Sequence, residues 1–182
     1  MKGLREASVD EAEACWESPE RVVLAVSVDE EGKADIIALG WKMYTSSYPR
    51  MVAISVGKTR HSHGLISQGG EFVLAIPGED MAEAVLYCGT HSGRDVDKFR
   101  EAKLTPCRAR FVKPPLIEEC IANMECRVVG KLDTGDHTIF VGEIVASWVS
   151  EERKRNLLCI GYESGYEYVG GGEGYRFGVI KR

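Results

Sequence analysis

The chain has 182 residues, enough for one domain of ordinary size, and 44% of them are hydrophobic, which suffices to fill a core. Its 23 basic and 28 acidic residues leave a net charge of −5. Without a basic block or an RNA-type aromatic motif, this composition disfavours nucleic-acid binding. No stretch approaches the roughly 20 apolar residues of a membrane span, and the first residues lack the apolar core of a signal peptide. We therefore expect one cytoplasmic domain over residues 1–182, with neither membrane nor nucleic acid as partner.

The first part of the chain predicts a short helix followed by strands. A helix is expected over 8–18, with Ser8 as N-cap and Glu11 completing a capping box. A polar turn at 29–33 joins two β-type segments into a hairpin. The predicted strands of this part are 21–28, 34–39 and 51–56.

The middle of the chain mixes short helices with a strand. A turn entering a helix is expected over 57–68, and Gly69 and Gly70 end that helix, as glycines commonly do. A strand follows at 71–76. Apolar residues at helical spacing then predict a helix over 79–87, and a further short helix over 96–102.

The last part of the chain is again β-type. Strands are expected over 104–112, 120–132 and 137–149, with the late hairpin turning at 133–136. The glycine cluster at 170–174 predicts a loop before a final strand at 175–180. Seven or eight strands with short inserted helices favour a closed or nearly closed antiparallel barrel, because few connections are long enough for parallel crossovers.

Six cysteines form no C-x-x-C pair, and the four histidines complete no zinc spacing. We therefore expect reduced thiols and no metal. Cys88 stands before a glycine-containing loop, where two interpretations remain open. It is either a buried thiol or a redox-active or substrate-facing group.

The most informative stretch is 135–143. Gly135 and Asp136 supply turn chemistry, and an apolar strand follows. His137 therefore lies at the end of a strand with a carboxylate beside it. Either it faces a ligand or it only caps the turn.

The segment 54–64 leaves a strand, turns at Gly57 and opens a helix. It gathers cations, hydroxyls and histidines where a helix presents unpaired N–H groups. This combination predicts a phosphate site, with Thr59 or Ser62 as an ordinary N-cap as the alternative. The spacing is neither a Walker loop nor G-x-G-x-x-G.

Two further segments carry candidate ligand contacts. The aromatic and hydroxyl residues of 40–49 suit a flat heteroaromatic ligand, or else form a loop that closes the barrel end. In 89–99, Lys98 either reaches an anion or forms a surface pair with Asp97.

Four segments together resemble the flavin reductase-like family, and more narrowly its flavoredoxins and archaeal FMN-binding proteins. The likeness covers about residues 18–150, and Gly135-Asp136-His137 is its most specific part. The matching segments are Thr59–His63, Tyr87–Phe99, Leu116–Cys126 and Gly135–Ile144.

This resemblance implies a mostly β, Greek-key split β-barrel that forms a homodimer with FMN near the interface. It implies that Thr59 and Ser62 contact the phosphate, with Arg60 and His63 in the same turn. The other implied contacts are Trp41, Lys42, Met43 and Ser46 along the isoalloxazine, Lys98 at the phosphate or ribityl end, His137 near the ring as an orienting group or proton donor, and Phe177 closing over the flavin.

The function implied is an FMN-dependent oxidoreductase. It would take electrons from NAD(P)H or a redox protein and pass them to a flavin, a ferric complex or a protein. The alternative is a non-enzymatic split barrel that stores or senses flavin or haem, with His61, His63 or His91 as an axial ligand. A purely structural interaction domain is a third class.

Overall fold

The computed structural model describes residues 3–16, 19–161 and 165–181. Two short helical elements are a 3-10 turn at Glu79–Met81 and α4 (Lys98–Glu101). The remaining elements, in chain order, are α1 (Val9–Glu13), β1 (Glu20–Arg21), β2 (Val23–Val28), β3 (Ala34–Leu39), β4 (Lys42–Ser47), β5 (Arg50–Gly57), α2 (His61–Gly69), β6 (Glu71–Ile76), α3 (Ala82–Thr90), β7 (Pro106–Cys107), β8 (Leu116–Ile117), β9 (Ala122–Thr134), β10 (His137–Val149), β11 (Leu158–Cys159), β12 (Tyr166–Gly172) and β13 (Tyr175–Ile180).

The main sheet is antiparallel and has seven strands in the order β3-β2-β6-β9-β10-β5-β4. Its edges are therefore β3 and β4, which follow one another in the chain. A second sheet has the order β1-β11-β13-β12, and β7 pairs with β8 in a small separate ladder. Both edges of the main sheet contribute residues to the cleft described below.

The main sheet is covered on both faces, which explains the continuous apolar runs in its strands. In β2, Leu24 and Val26 join one buried cluster, with Phe177 of the second sheet, whereas Ala25 joins the other, with Phe140 of β10. Neighbouring residues of a strand point to opposite faces, so β2 must be apolar throughout. Each fully buried large side chain contributes about 1.5–3 kcal/mol to folding.

The helix α2 crosses between β5 and β6 and buries Leu65 and Ile66. It ends at Gly70, whose φ of 67° is left-handed and whose N–H donates to the carbonyl of Ile66 at 3.0 Å. Glycine adopts this conformation without steric cost.

None of the helices in the described residues is long and apolar enough to cross a bilayer.

Several predicted elements are confirmed, including the strands 34–39, 71–76, 137–149 and 175–180. The Ser8 hydroxyl accepts a hydrogen bond from the Glu11 N–H at 3.1 Å, as its predicted N-cap role requires. The helix itself is shorter than predicted and covers only Val9–Glu13. Positions 17 and 18 of that prediction lie outside the described residues.

Two predicted loops are wrong, because each contains a strand of a hairpin. The aromatic segment 40–49 contains β4, which pairs with β5 as an edge strand and leaves most of its side chains exposed. The glycine cluster 170–174 contains the end of β12 and the turn into β13. At Gly171, with φ of 154°, any Cβ would collide with the backbone of Tyr175, so this strand requires glycine there.

The predicted strand 104–112 is also largely wrong, because only Pro106–Cys107 is a strand. The physical reason is the buried carboxylate of Glu125. It accepts hydrogen bonds from the N–H groups of Arg110, Phe111 and Val112 at 2.6–3.2 Å. A side chain therefore supplies the acceptors that a neighbouring strand would otherwise provide.

The predicted helix 79–87 is shifted, since a 3-10 turn precedes α3 and α3 extends to Thr90.

Candidate functional site

A cleft of about 1450 Å³ opens between the end of the main sheet and the second sheet. Its walls come from β4, β5 and β10 on one side, from the loop after α3 on another, and from β11 and β13 on a third. All the residues predicted to hold a ligand line it, except Ser46 and His63. The topology thus brings together segments that lie far apart in the sequence.

One end of the cleft is the turn from β5 into α2. Lys58, Thr59 and Arg60 are exposed there, and the Arg60 N–H donates to the Gly57 carbonyl at 3.0 Å. Arg60 is the N-cap of α2 and makes no side-chain capping bond. The alternative of an ordinary N-cap by Thr59 or Ser62 is therefore wrong. The N–H groups of the first helical turn and the Arg60 guanidinium create a positive potential that suits an anion.

Beneath this turn, Ser62, Asp35 and Lys98 form a buried cluster. The Ser62 hydroxyl donates to the Asp35 carboxylate at 2.5 Å, and the Lys98 ammonium lies 3.0 Å from the other carboxylate oxygen. Lys98 also donates to the carbonyls of Ile36 at 2.5 Å and Cys88 at 3.1 Å. The Asp97–Lys98 surface pair is accordingly wrong, since Lys98 is 3% exposed and Asp97 is the N-cap of α4.

A neighbouring part of the cleft wall is apolar and aromatic. Trp41 and Met43 are 54% and 60% exposed, although both are large apolar side chains. The Trp41 ring lies 4.7 Å from the imidazole of His137, with an angle of 34° between the ring planes. Lys42 forms an ion pair with Glu20 at 3.2 Å. This wall offers flat surfaces for stacking together with a few polar groups.

His137 is oriented by its neighbour in the hairpin turn. Its Nδ1 lies 2.6 Å from a carboxylate oxygen of Asp136, and this hydrogen bond lowers the pKa of Asp136. The arrangement has Nδ1–H as the donor, which leaves Nε2 for a ligand. Nε2 is directed toward Gly57, since a Cβ built on Gly57 would lie 3.5 Å from it.

Hydrogen bonds also join the hairpin turn at Gly135 and Asp136 directly to the turn from β5 into α2. The backbone N–H of Lys58 donates to the Asp136 carbonyl at 2.9 Å, and its ammonium donates to the Gly135 carbonyl at 2.9 Å. In the β5–β10 ladder, His137 pairs with Gly57. The two strongest sequence signals, 54–64 and 135–143, thus form one end of one cleft.

His63 and Ser46 take other positions. His63 lies half-buried on α2, with Nε2 at 2.9 Å from the Thr138 hydroxyl and its ring edge against Phe140. Burial lowers the pKa of His63. Ser46 lies past an irregularity in the β4–β5 pairing, opposite Met51. Their contacts with a ligand remain predictions.

The second sheet closes the cleft from the far side. Phe177 of β13 is 3% exposed and borders the cleft while belonging to the core.

Cys88 of α3 borders the cleft as well, but burial raises the pKa of its thiol to about 12, so the thiol is protonated at neutral pH. His91 stacks on Tyr87 at 3.9 Å between ring centroids, and its Nδ1 lies 3.2 Å from the Tyr87 carbonyl.

Two residues of the site were missed by sequence reasoning, Asp35 and Glu20. The signal for Asp35 is visible, because it is the charged residue within the otherwise apolar strand Ala34–Leu39. A charge in such a strand is buried only with partners. Glu20 carries no comparable signal. In the described ranges, no group of three or more His, Cys, Asp or Glu side chains is arranged to hold a metal ion.

Comparison with known proteins identifies the family. A family model described as "Flavin reductase like domain" matches residues 17–169. A relative from Archaeoglobus fulgidus is 41% identical over 127 residues, which are 70% of this chain and 71% of that protein. Among solved structures, flavoredoxin from Methanosarcina acetivorans is 25% identical with a TM-score of 0.74, covering 100% of this chain and 91% of the other.

The same fold occurs in an FMN-binding protein from Thermus thermophilus, with a TM-score of 0.76 at 24% identity, covering 89% of this chain and 93% of the other. Together with the open antiparallel sheet and its short inserted helices, these likenesses confirm the predicted split β-barrel. The chain belongs to the flavin reductase-like family.

Proposed function

We propose that the protein is an oxidoreductase that binds FMN in the cleft. The observation that carries this proposal is the pairing of two unlike surfaces within one cavity. One is a cationic helix N-terminus at Arg60, and the other is an exposed aromatic wall at Trp41. A phosphate ester on a flat ring system needs both features. The cleft of about 1450 Å³ exceeds the usual small-molecule site of about 300–1,000 Å³, which leaves room for a second reactant.

At the phosphate end, Thr59, Arg60 and the first N–H groups of α2 are the proposed anion contacts. Thr59 and Arg60 are exposed at the cleft, so each can reach a bound ligand. Ser62 and Lys98 were expected to share this role. Because both are bonded to Asp35, we propose that they support the turn from beneath.

At the ring end, Trp41, Lys42 and Met43 form the proposed wall for the isoalloxazine. Ser46 and His63 remain predicted contacts, and Phe177 closes the far side. Bound FMN would supply the electron and hydride chemistry, which the protein need not provide. His137 is the proposed proton donor or orienting group, since Asp136 holds Nδ1 and leaves Nε2, which lies beside Gly57 of the cleft lining, available to a ligand.

The direct test is flavin binding. We expect the purified protein either to be yellow or to acquire a flavin spectrum when FMN is added. A colourless preparation that takes up no FMN from solution would refute the proposal. The family of the chain and its likeness to a flavoredoxin support FMN over other ligands.

The proposed electron donor is NAD(P)H or a redox protein, and the acceptor is a flavin, a ferric complex or a protein. Anaerobic stopped-flow mixing separates these donors. Bleaching of the bound flavin by NADH or NADPH supports a reductase, whereas no bleaching by either supports an electron carrier served by a protein.

We also propose that the cleft lies near the interface of a homodimer. Met43 and Tyr44 of the edge strand β4 are 60% and 70% exposed, and Met43 also borders the cleft. Large apolar side chains grouped at an edge mark interaction surfaces. Sedimentation equilibrium of the wild type and of Tyr44→Glu tests this: we expect a dimer for the first and a monomer for the second.

A further inference from the structure

Asp35 joins three segments that border the proposed phosphate end of the cleft. It lies in β3 and is 2% exposed. One carboxylate oxygen accepts from Ser62 of α2, and the other faces Lys98 of α4. The backbone at Gly93, in the loop between α3 and α4, packs so closely on this carboxylate that no Cβ fits there.

The bond from Ser62 decides what its hydroxyl can do. A hydroxyl has one proton, and Ser62 donates it to Asp35 at 2.5 Å. Ser62 is the second residue of α2, one position from the start of the helix at His61. The bond therefore fixes the first turn of the helix to β3, and with it the direction of the N–H groups at the N-terminus.

Lys98 makes the carboxylate a fixed anchor. Its ammonium donates to the carbonyls of Ile36 and Cys88. It also lies 3.0 Å from Asp35 Oδ1 in an ion pair, although within the described residues that oxygen accepts no hydrogen bond. At 3% exposure Lys98 does not project into solvent. Because removal of one partner of a buried ion pair leaves an uncompensated charge, turning Asp35 away from Ser62 would also cost its contact with Lys98.

We infer that Asp35 is a positioning residue for the flavin phosphate, acting through Ser62 on the first turn of α2. This inference rests on the proposed FMN function, because it assigns the phosphate to that turn. Asp35 itself touches no phosphate oxygen, since a carboxylate would repel the anion. Its effect is to hold the anion-binding N–H groups and Arg60 in the orientation that the phosphate requires.

The test compares FMN with riboflavin, which has the same ring and ribityl chain but no phosphate. Dissociation constants for both are measured by flavin fluorescence on the wild type and on Asp35→Ala, Ser62→Ala and the double variant. Loss of an oriented, charge-assisted bond predicts about tenfold or more weaker FMN binding and less than about twofold weaker riboflavin binding. Asp35→Ala and Ser62→Ala remove the same hydrogen bond, so the double variant should bind FMN no more weakly than the weaker of the two single variants.

The matched control is Glu125→Gln. Glu125 is also a fully buried carboxylate with several hydrogen bonds, but it does not border the cleft. We expect it to lower thermal stability without changing the ratio of the FMN and riboflavin dissociation constants. Ser62→Thr retains a hydroxyl at this position, so we expect it to bind FMN as the wild type does and not as Ser62→Ala does.

Each outcome is decisive. A folded Asp35→Ala with an unchanged ratio overturns the role of Asp35, and so do additive effects of the two substitutions. If Asp35→Ala does not fold because Lys98 has lost its partner, Ser62→Ala is the test: an unchanged ratio there overturns the inference. A wild type that binds neither flavin refutes the FMN proposal itself and this inference with it.

Discussion

His137 lies directly across the β5–β10 ladder from Gly57, so the imidazole and the turn into α2 share one end of the cleft. Nδ1 of the same imidazole lies 2.6 Å from Asp136, and Trp41 lies 4.7 Å from its ring. Strand pairing thus sets the distance between the proposed phosphate contacts and the proposed proton donor. A slip of one residue in this register would turn His137 to the other face of the sheet.

The first prediction concerns His137. Replacement by Gln removes a proton donor while the phosphate contacts stay in place. We expect FMN affinity to change little and the rate of flavin turnover to fall by about 10²-fold, the usual contribution of a positioned acid or base. Steady-state and stopped-flow kinetics against pH measure this. A variant with the wild-type rate and pH profile would exclude His137 from proton transfer.

Asp136→Asn is the companion variant. Asp136 is 91% exposed in its side chain, and exposed pairs contribute only about 0–1 kcal/mol. We therefore expect a rate loss of no more than about fivefold, much smaller than that of His137→Gln. An equally large loss would mean that the carboxylate does more than orient the ring.

The second prediction concerns Arg60. Removal of its exposed guanidinium by Arg60→Ala should weaken FMN binding by about tenfold, since a charge-assisted bond to the phosphate is lost. Riboflavin binding should not change. Arg153→Ala, in a loop that does not border the cleft, is the control. Equal weakening of both flavins by Arg60→Ala would place the guanidinium on the ring and not on the phosphate.

The fold was predictable wherever one physical signal dominated. In β3 and β6, apolar runs bounded by glycine or polar turns set both ends correctly. β12 was missed because Gly170, Gly171 and Gly172 carry no side-chain pattern, and their strand exists only through pairing with β13. The strand predicted for 104–112 is wrong for the opposite reason. Its residues have a β-type pattern, but backbone N–H groups of this segment donate to the carboxylate of Glu125 and not to a neighbouring strand.

The cleft was predictable in its parts but not in its internal bonds. The turn at 57–64 and His137 were recognisable from local chemistry, and the structure brings them together. The hydrogen bond from Ser62 to Asp35 spans 27 residues, and the ion pair between Lys98 and Asp35 joins α4 to β3. Local spacing contains no information on such contacts, so both side chains were assigned to the ligand.

The third prediction concerns Cys88. Because burial raises the pKa of its thiol to about 12, almost no thiolate exists at neutral pH. We expect Cys88→Ala to retain FMN binding and electron transfer. In the wild type, iodoacetamide should modify the exposed Cys15 far faster than the buried Cys88, as measured by mass spectrometry of the digested protein. Preferential labelling of Cys88 would show that the thiol is accessible and reactive.

The fourth prediction concerns the stability of the protein at mildly acidic pH. Burial lowers the pKa of His63 below its ordinary value of 6.5, and Lys58 and Lys131 oppose its protonation while Asp133 favours it. The Thr138 hydroxyl donates to Asp133 at 2.7 Å, so its oxygen accepts from His63 Nε2–H. The folded state therefore holds neutral His63, whereas the unfolded state binds a proton below pH 6.5.

Between the unfolded and folded pKa values of His63, the unfolded state binds more protons, so the free energy of unfolding increases with pH. The stabilisation is complete above pH 6.5 and declines as the pH falls below it. Urea unfolding of the wild type and of His63→Asn at pH 5 to 8 measures this, with the exposed His91→Asn as control. We expect a shallower pH dependence for His63→Asn alone. Equal slopes for all three proteins would show that His63 is not the group whose protonation opposes folding.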